Sequence, residues 1–138
     1  MDTGEAGDTG KAADTGKAAR VLIVEDEPMI ALTLEDVLTF AGFEIAGVAT
    51  KLERAMTIIE SGVCDAAILD ANLGGVSSSP AASALTARGV PFLVLSGYSS
   101  GQHSDAFAGA VHLQKPCQAD KLIHALRSIL PAHFLPGS

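Results

Sequence analysis

The sequence predicts a doubly wound α/β fold, in which a parallel sheet of five strands carries helices on both faces. Short apolar runs alternate along the chain with segments of helical periodicity. Unbroken short apolar runs are typical of parallel strands that are buried on both faces. Four of these runs end directly in polar residues, so these polar groups should meet where the carboxyl ends of the strands form one edge of the sheet.

Five strands are predicted from the apolar runs. They span residues 20–25, 43–49, 65–70, 91–95 and 111–114. Pro28 suits the first turn of the helix that follows the first strand, and Gly42 should end that helix. Residues at helical spacing should form its apolar face, namely Ile30, Leu34, Val37 and Leu38.

Helix-start and helix-stop residues define the next two helices. Thr50 is the predicted N-cap of the second helix, because Glu53 stands three residues later and completes a capping box. This helix should stop at Gly62. A third helix is predicted to open at Pro80, to run through about residue 87 and to end at Gly89.

The connections on either side of the fourth strand are polar. Residues 72–79 are rich in Gly and Ser and predict a loop, and residues 99–104 predict another. Only a short helix is expected around residues 105–108. The last helix should span residues 120–130, with an apolar stripe of Leu122, Ile123, Leu126, Ile129 and Leu130.

Both ends of the chain differ from its central segment. Residues 1–19 contain three similar hexads without a large apolar residue, and such a segment cannot bury enough surface to offset the entropy of ordering it. We therefore expect a disordered repeat tail over residues 1–19, one domain over residues 20–131 and a C-terminal tail over residues 132–138.

The composition narrows the possible partners and the cellular location. The formal net charge of −7 argues against non-specific binding to nucleic acid or to anionic membranes, which need clustered Lys and Arg. No apolar run approaches the roughly 18 residues of a membrane span, and no basic, apolar export signal opens the chain. The expected location is the cytoplasm, where Cys64 and Cys117 should be reduced thiols.

Oxygen ligands cluster after the first and third predicted strands. The first strand runs into Glu25 and Asp26, and the third ends in Asp70. A hard divalent cation such as Mg²⁺ prefers oxygen ligands. The backbone carbonyl of Asn72, two residues past Asp70, lies within plausible reach. These four residues therefore form the predicted magnesium site.

The remaining strand ends supply groups that suit phosphoryl chemistry. A carboxylate such as Asp70 can act as a nucleophile and form an aspartyl phosphate. Ser96 follows the fourth apolar run and can donate a hydrogen bond to a phosphoryl oxygen, and Lys115 follows the fifth and supplies a cation. The alternative interpretations are an ordinary loop hydroxyl at Ser96, a solvated charge at Lys115, and a strand cap at Asp70.

Together these residues resemble a response-regulator receiver domain over about residues 20–131. The resemblance rests on the run Val21–Pro28, Asp70, Ser96 and Lys115-Pro116, and on the 44 positions between Asp26 and Asp70. It implies a flavodoxin-like sheet with strand order 2-1-3-4-5. It also implies that Asp70 is the phosphoacceptor, Ser96 the switch hydroxyl, Lys115 the phosphate contact, and Glu25 and Asp26 the metal-binding pair.

A narrower resemblance concerns the segments around Asp70 and Ser96. Residues 70–75 and 89–98 resemble mostly alphaproteobacterial receivers that are named for a Phe-Ala-Thr-Gly-(bulky)-Tyr motif, and Gly97 and Tyr98 match this motif. Such receivers often lack an output domain and often act with histidine kinases of the HWE or HisKA2 type. The resemblance therefore implies a kinase partner of that type.

Several positions depart from the ordinary receiver pattern. Gly74 replaces the proline that usually stands four residues after the acceptor, and His112 replaces the usual aromatic residue three positions before the lysine. Cys117 replaces the aromatic that follows Lys-Pro, and we interpret it as a small apolar filler. Only 19 positions separate Ser96 from Lys115, so the fourth helix should be short or disordered. We expect His112 to be a packing residue.

These observations predict a single-domain response regulator. It should accept a phosphoryl group on Asp70 from a histidine kinase and then act by contact with a phosphotransfer or downstream protein, or as a phosphate sink. Its own chemistry should be limited to self-phosphorylation from small donors and autodephosphorylation. The alternatives are an aspartyl-nucleophile phosphatase, which would want Asp where Asn72 stands, and a binding module that works without phosphorylation.

Overall fold

The computed structural model describes residues 18–97 and 105–134. Five of its strands form one parallel sheet, namely β1 (Arg20–Val24), β2 (Glu44–Ala49), β3 (Ala66–Asp70), β6 (Phe92–Ser96) and β7 (Val111–Gln114). The order of these strands in the sheet is β2-β1-β3-β6-β7. Counted over the sheet alone, this is the predicted order 2-1-3-4-5, so the doubly wound, flavodoxin-like fold is confirmed.

Four α-helices and two short 3-10 turns surround the sheet in the described residues. The helices are α1 (Pro28–Phe40), α2 (Leu52–Ser61), α3 (Ser79–Ala87) and α4 (Ala119–Ile129), and the turns are Asp105–Phe107 and Ala132–Phe134. The first of these turns is the short helix expected before the last sheet strand. None of the helices within residues 18–97 and 105–134 is long and apolar enough to cross a membrane.

Two apolar layers hold the helices against the sheet. On one side α1 and α4 contribute Ala31, Leu34, Leu38, Leu122, Ala125 and Leu126. On the other side α2 and α3 contribute Ala55, Ile58, Ile59, Ala81, Ala82 and Leu85. The prediction for α1 was wrong at Ile30, which is 37% exposed, because the buried stripe of this helix passes through Ala31 instead. All residues of β3 and β6 are buried, as expected for strands covered on both faces.

The predicted N-cap of α2 was also wrong. The helix begins at Leu52, so the residue in the N-cap position is Lys51, which has extended backbone angles and makes no side-chain capping bond. Thr50 therefore stands one residue too early for a capping hydroxyl, which must reach the amides at the second or third helical position. The predicted stop is confirmed, since Gly62 caps the helix in the left-handed conformation with a φ of 77°.

The Gly- and Ser-rich segment after β3 is more ordered than the sequence suggested. Residues 72–79 were predicted to be a loop, but β4 (Asn72–Leu73) and β5 (Val76–Ser77) form a small antiparallel hairpin. Gly74 and Gly75 form its two-residue turn with φ values of 61° and 96°. Positive φ at both central residues matches the twist of a hairpin, and glycine adopts it without steric cost.

One residue beyond each predicted domain limit packs onto the domain. Ala19, which was assigned to the tail, is buried, and its carbonyl accepts a hydrogen bond from the amide of Glu44. Phe134, which was assigned to the C-terminal tail, packs against the apolar layer of α1 and α4. Small or isolated apolar residues at the chain ends carry no periodic signal, so sequence patterning does not detect these two contacts, and the domain limits remain a prediction.

Candidate functional site

Two neighbouring strands bring three carboxylates to one edge of the sheet. β1 and β3 pair in parallel, with Val24 opposite Leu69, so Glu25 and Asp26 leave β1 beside Asp70 at the end of β3. Glu25 is fully buried and Asp70 is 6% exposed. One carboxylate oxygen from each of the three residues lies within 4.8 Å of the others. The predicted acidic cluster is therefore present in the structure.

Backbone amides orient two of these carboxylates. The amide of Glu27 donates to Oε2 of Glu25 at 3.1 Å, and the amide of Asn72 donates to Oδ1 of Asp70 at 3.2 Å. Each bond uses one oxygen and leaves the second oxygen of the same carboxylate for another partner. The carboxylates are thus held in place by the chain segments that directly follow the two strands.

The ammonium of Lys115 contacts the second carboxylate oxygen of both Glu25 and Asp70. Its Nζ lies 3.1 Å from Oε1 of Glu25 and 3.0 Å from Oδ2 of Asp70. The Lys115 side chain is 25% exposed, so solvent reaches part of it. The peptide bond between Lys115 and Pro116 is cis. The structure therefore brings Lys115 into direct contact with the predicted acceptor.

Ser96 reaches the same edge on the next strand. It is the last residue of β6 and pairs with Gln114 of β7. Its carbonyl accepts a hydrogen bond of 2.8 Å from the amide of Lys115, and the residue is 9% exposed. Asp70 pairs with Leu95, which directly precedes Ser96. Ser96 therefore lies at the strand end beside the acceptor. The switch role of its hydroxyl remains a prediction.

Burial and the neighbouring charges shift the pKa values of Glu25 and Lys115 within the site. Burial is the main influence that raises the pKa of Glu25 to about 6, and the nearby Asp70 charge adds to it. The hydrogen bond from the Glu27 amide and the contact with Lys115 oppose this shift. For Lys115, burial alone would lower the pKa, but the hydrogen bonds and charges of Asp70 and Glu25 outweigh it and raise the pKa. The site therefore favours an ammonium ion at Lys115.

The raised pKa of Glu25 predicts a pH-dependent cost to stability. A group whose pKa rises from 4.5 to about 6 on folding binds its proton more tightly in the folded protein. Its stabilising contribution is complete below about pH 4.5 and is lost as the pH rises through about 6. Relative to Glu25→Gln, metal-free wild type should therefore lose about 2 kcal/mol of unfolding free energy between pH 4.5 and pH 7.

Urea unfolding in the presence of a chelator measures this difference. Glu44→Gln is the matched control, because Glu44 is an exposed glutamate at the start of β2. Its difference from wild type should stay nearly constant over the same pH range. A constant difference for Glu25→Gln as well would contradict the prediction.

The donor set fits a magnesium ion. Glu25, Asp26 and Asp70 offer three carboxylates within one coordination sphere, and hard oxygen donors of this kind suit Mg²⁺. Their charges lie close together and are only partly offset by Lys115, so a bound cation would relieve their repulsion. The Asn72 carbonyl remains the predicted fourth ligand. The Asn72 amide already donates a hydrogen bond to the Asp70 carboxylate.

The hairpin brings a residue to the site that sequence reasoning missed. A Cβ atom on Gly74 would lie 3.5 Å from Oδ2 of Asp26, so the turn of the hairpin passes close to this carboxylate. The adjacent Gly74-Gly75 pair, a known signal for two-residue hairpins, could have indicated this arrangement. The receiver pattern alone marks Gly74 as a departure from the usual proline and does not place it beside Asp26.

His112 and the two cysteines, which the sequence also singled out, have packing contacts or free thiols in the structure. His112 packs edge-on against Phe107, with the ring centroids 6.5 Å apart, and its Nε2 lies 3.1 Å from the Phe107 carbonyl. His112 therefore has a ring contact of the expected kind, although the residue stays exposed, and its packing role remains a prediction. Cys117 packs against the α1 and α4 layer, and both Cys64 and Cys117 are free thiols. Tyr98, which belongs to the narrower motif, lies outside the described residues.

Comparisons with known proteins agree with this fold. The family model for the response regulator receiver domain matches residues 21–127. The structure is similar to the solution structure of SdrG from Sphingomonas melonis Fr1, with 41% identity and a TM-score of 0.71, covering 81% of this chain and 96% of that one. It is also similar to a CheY-like receiver from Methanospirillum hungatei JF-1, with 25% identity and a TM-score of 0.73, covering 81% and 93%.

Two curated proteins of Mycobacterium tuberculosis (strain ATCC 25618 / H37Rv) are also similar. The transcriptional regulatory protein TcrA is 31% identical over 115 residues, which cover 80% of this chain and 45% of TcrA. The transcriptional regulatory protein PdtaR is 32% identical over 111 residues, which cover 78% of this chain and 54% of PdtaR. The chain thus spans about half the length of the curated relatives it matches.

Proposed function

We propose that this chain, which belongs to the response regulator receiver family of two-component signalling, takes a phosphoryl group onto Asp70 from a phosphohistidine of a histidine kinase. One observation carries the proposal. Asp70 ends a central strand beside the carboxylates of Glu25 and Asp26, and its Oδ2 contacts Nζ of Lys115 at 3.0 Å. A nucleophilic carboxylate, an oxygen-rich cation site and an ammonium therefore occupy one edge of the sheet.

The proposed transfer forms one bond and breaks another. A carboxylate oxygen of Asp70 attacks phosphorus, the P–N bond of the phosphohistidine breaks, and the electron pair of that bond returns to the imidazole. The product is an acyl phosphate on Asp70. The Asp70 side chain keeps 8% of its surface exposed at the carboxyl edge of β3, which gives a donor access to it.

Lys115 and Ser96 have distinct proposed roles after the transfer. The Lys115 ammonium already lies on Oδ2 of Asp70, so it can bind an oxygen of the new phosphoryl group after a small movement. Ser96 lies at the end of the adjacent strand, and its hydroxyl can donate to another phosphoryl oxygen. Because the Lys115 amide is bonded to the Ser96 carbonyl, the two residues are mechanically linked.

The proposed metal ligands are the carboxylates of Glu25, Asp26 and Asp70 and the carbonyl of Asn72. A magnesium ion bound there offsets the negative charge that gathers on the transferring group. The acidic residues themselves would bind and orient the ion, and Lys115 compensates part of their negative charge.

The proposed partner is a histidine kinase of the HWE or HisKA2 type. The resemblance of residues 70–75 and 89–98 to the motif-named receivers supports this choice. The proposed output is contact with a phosphotransfer or downstream protein, or removal of phosphoryl groups from a shared kinase.

Incubation with acetyl phosphate and Mg²⁺ tests the proposed function. We expect a covalent adduct of about 80 Da in the intact mass. The adduct should require Mg²⁺ and should be released by hydroxylamine, which cleaves acyl phosphates. Absence of an adduct would contradict the proposal and favour a phosphorylation-independent binding module. Rapid turnover of phosphomonoesters would instead favour the phosphatase alternative.

A further inference from the structure

We infer that Asn72 is a positioning residue for the metal site. Its side chain closes the turn of the hairpin that presents the Asn72 carbonyl, the predicted fourth ligand, to this site. The inference rests on the proposed function only in that it takes the acidic cluster to bind Mg²⁺. The hairpin consists of β4 and β5 with the Gly74-Gly75 turn between them.

The hairpin ladder leaves the backbone groups of Asn72 unused. Asn72 pairs with Ser77, and this pair lies between the Leu73–Val76 pair and the hydrogen bond from the Ser78 amide to the Ala71 carbonyl. In an antiparallel ladder, a pair in this position does not exchange hydrogen bonds. The amide and carbonyl of Asn72 therefore point outward, away from the partner strand.

The outward-pointing backbone groups of Asn72 face the predicted metal site. The Asn72 amide donates to Oδ1 of Asp70 at 3.2 Å. In an extended residue the amide and the carbonyl project to the same side of the strand. The Asn72 carbonyl is consequently presented on the Asp70 side of the hairpin for as long as the ladder keeps its register.

The Asn72 side chain stabilises that register. Its Oδ1 accepts a hydrogen bond of 2.6 Å from the Gly75 amide, which closes the turn across its two glycines. Two-residue strands supply few hydrogen bonds of their own, and a pair of glycines is costly to order. A short side-chain bond across the turn therefore contributes a large share of what keeps the hairpin closed.

Turn closure also acts on a second carboxylate. With the turn closed, Gly74 lies beside Asp26, where an added Cβ atom would be in ordinary van der Waals contact with Oδ2 at 3.5 Å. Leu73, on the other side of Asn72, is buried in the apolar layer of α2 and α3 and anchors the hairpin. One side-chain bond thus holds the Asn72 carbonyl near Asp70 and the turn against Asp26.

Magnesium titration by calorimetry, with Asn72→Ala against wild type, tests the inference. The variant removes the acceptor for the Gly75 amide and leaves the Asn72 carbonyl in place. We expect Mg²⁺ affinity to fall about tenfold, in the range found when groups that orient metal ligands are removed. In the metal-free protein, the Gly75 amide should exchange its hydrogen faster than in wild type, as measured by NMR.

Ser77→Ala is the matched control. Ser77 is the paired residue in the same hairpin, and its Oγ likewise accepts a local backbone hydrogen bond, from the Ser79 amide at 3.1 Å. That bond does not cross the glycine turn. Ser77→Ala should therefore bind Mg²⁺ within about twofold of wild type, although it loses a hydrogen bond of the same class.

Asn72→Asp separates positioning from a loss of polarity at this site. It keeps an oxygen acceptor for the Gly75 amide and should restore both slow exchange and Mg²⁺ affinity. The titrations are made in about 0.5 M KCl, where the added charge of the exposed side chain is screened. Affinity as weak as that of Asn72→Ala would overturn the inference.

The inference and the proposed function fail in different ways. If wild type and Asp70→Asn show the same negligible Mg²⁺ binding, the metal site of the proposed function is wrong. If wild type binds Mg²⁺ but Asn72→Ala binds it as tightly as Ser77→Ala does, only the positioning role of Asn72 is wrong.

Discussion

Asp70→Asn is expected to fold and to gain no phosphoryl group from acetyl phosphate. An amide oxygen is not a competent nucleophile for phosphorus, so the adduct of about 80 Da should fall below detection. The single carboxamide oxygen can still accept the hydrogen bond from the Asn72 amide, which keeps the strand end intact, whereas the bond from Lys115 to the second oxygen is lost. Intact-mass spectrometry after incubation with the donor and Mg²⁺ measures the loss, and circular dichroism verifies the fold.

Asp65→Asn is the control for this experiment. Asp65 also lies next to β3 but at its opposite end, where its Oδ2 accepts a 2.8 Å hydrogen bond from the Arg20 amide. Removing that charge should leave phosphorylation at the wild-type level. An adduct that persists in Asp70→Asn would show that another residue accepts the phosphoryl group, and it would contradict the assignment of Asp70.

The strand ends could be predicted from sequence because β1, β3 and β6 are buried on both faces. Such strands need unbroken apolar residues, and a polar residue marks the point where the chain leaves the core. Parallel pairing then brings all of these points to one edge. The convergence of Glu25, Asp26, Asp70, Ser96 and Lys115 at one edge follows from this rule together with the strand order.

The hairpin could not be predicted in the same way. Its strands are two residues long, so no hydrophobic periodicity can develop, and Leu73 is its only deeply buried apolar residue. What holds it is turn geometry and the Asn72 side chain, which a scan for strands does not detect. The resemblance to receivers pointed to the Asn72 carbonyl but did not indicate the structure that orients it.

Side-chain partners at the site were also beyond sequence patterning. The sequence placed Lys115 near the phosphoryl group, whereas the structure shows its ammonium bonded to Glu25 and Asp70 at the same time. Residues 25 and 115 are far apart in the chain, and either could have been solvated. Their contact depends on the burial of Glu25, which a pattern of polar residues after a strand does not reveal.

Lys115→Met should destabilise the metal-free protein by about 2–3 kcal/mol. Removing one partner of a buried ion pair costs about 3–5 kcal/mol, because the remaining charge is left buried and uncompensated. The Lys115 side chain is 25% exposed, so we expect an effect below that range. Methionine keeps much of the aliphatic length, which limits the loss of packing. Urea unfolding in the presence of a chelator measures the change.

Addition of Mg²⁺ should reverse much of this loss. In the variant, Oε1 of Glu25 and Oδ2 of Asp70 no longer share their charge with an ammonium, so they are freer to hold a cation. A ligand that binds only the folded state stabilises it in proportion to its affinity, and Mg²⁺ should therefore raise the unfolding free energy of Lys115→Met more than that of wild type. Lys121→Met, at an exposed position in α4, should change stability by less than about 0.5 kcal/mol and leave the Mg²⁺ response unaltered. Equal Mg²⁺ stabilisation of wild type and Lys115→Met would contradict the prediction. It would mean that Lys115 does not compete with Mg²⁺ for the carboxylates of Glu25 and Asp70.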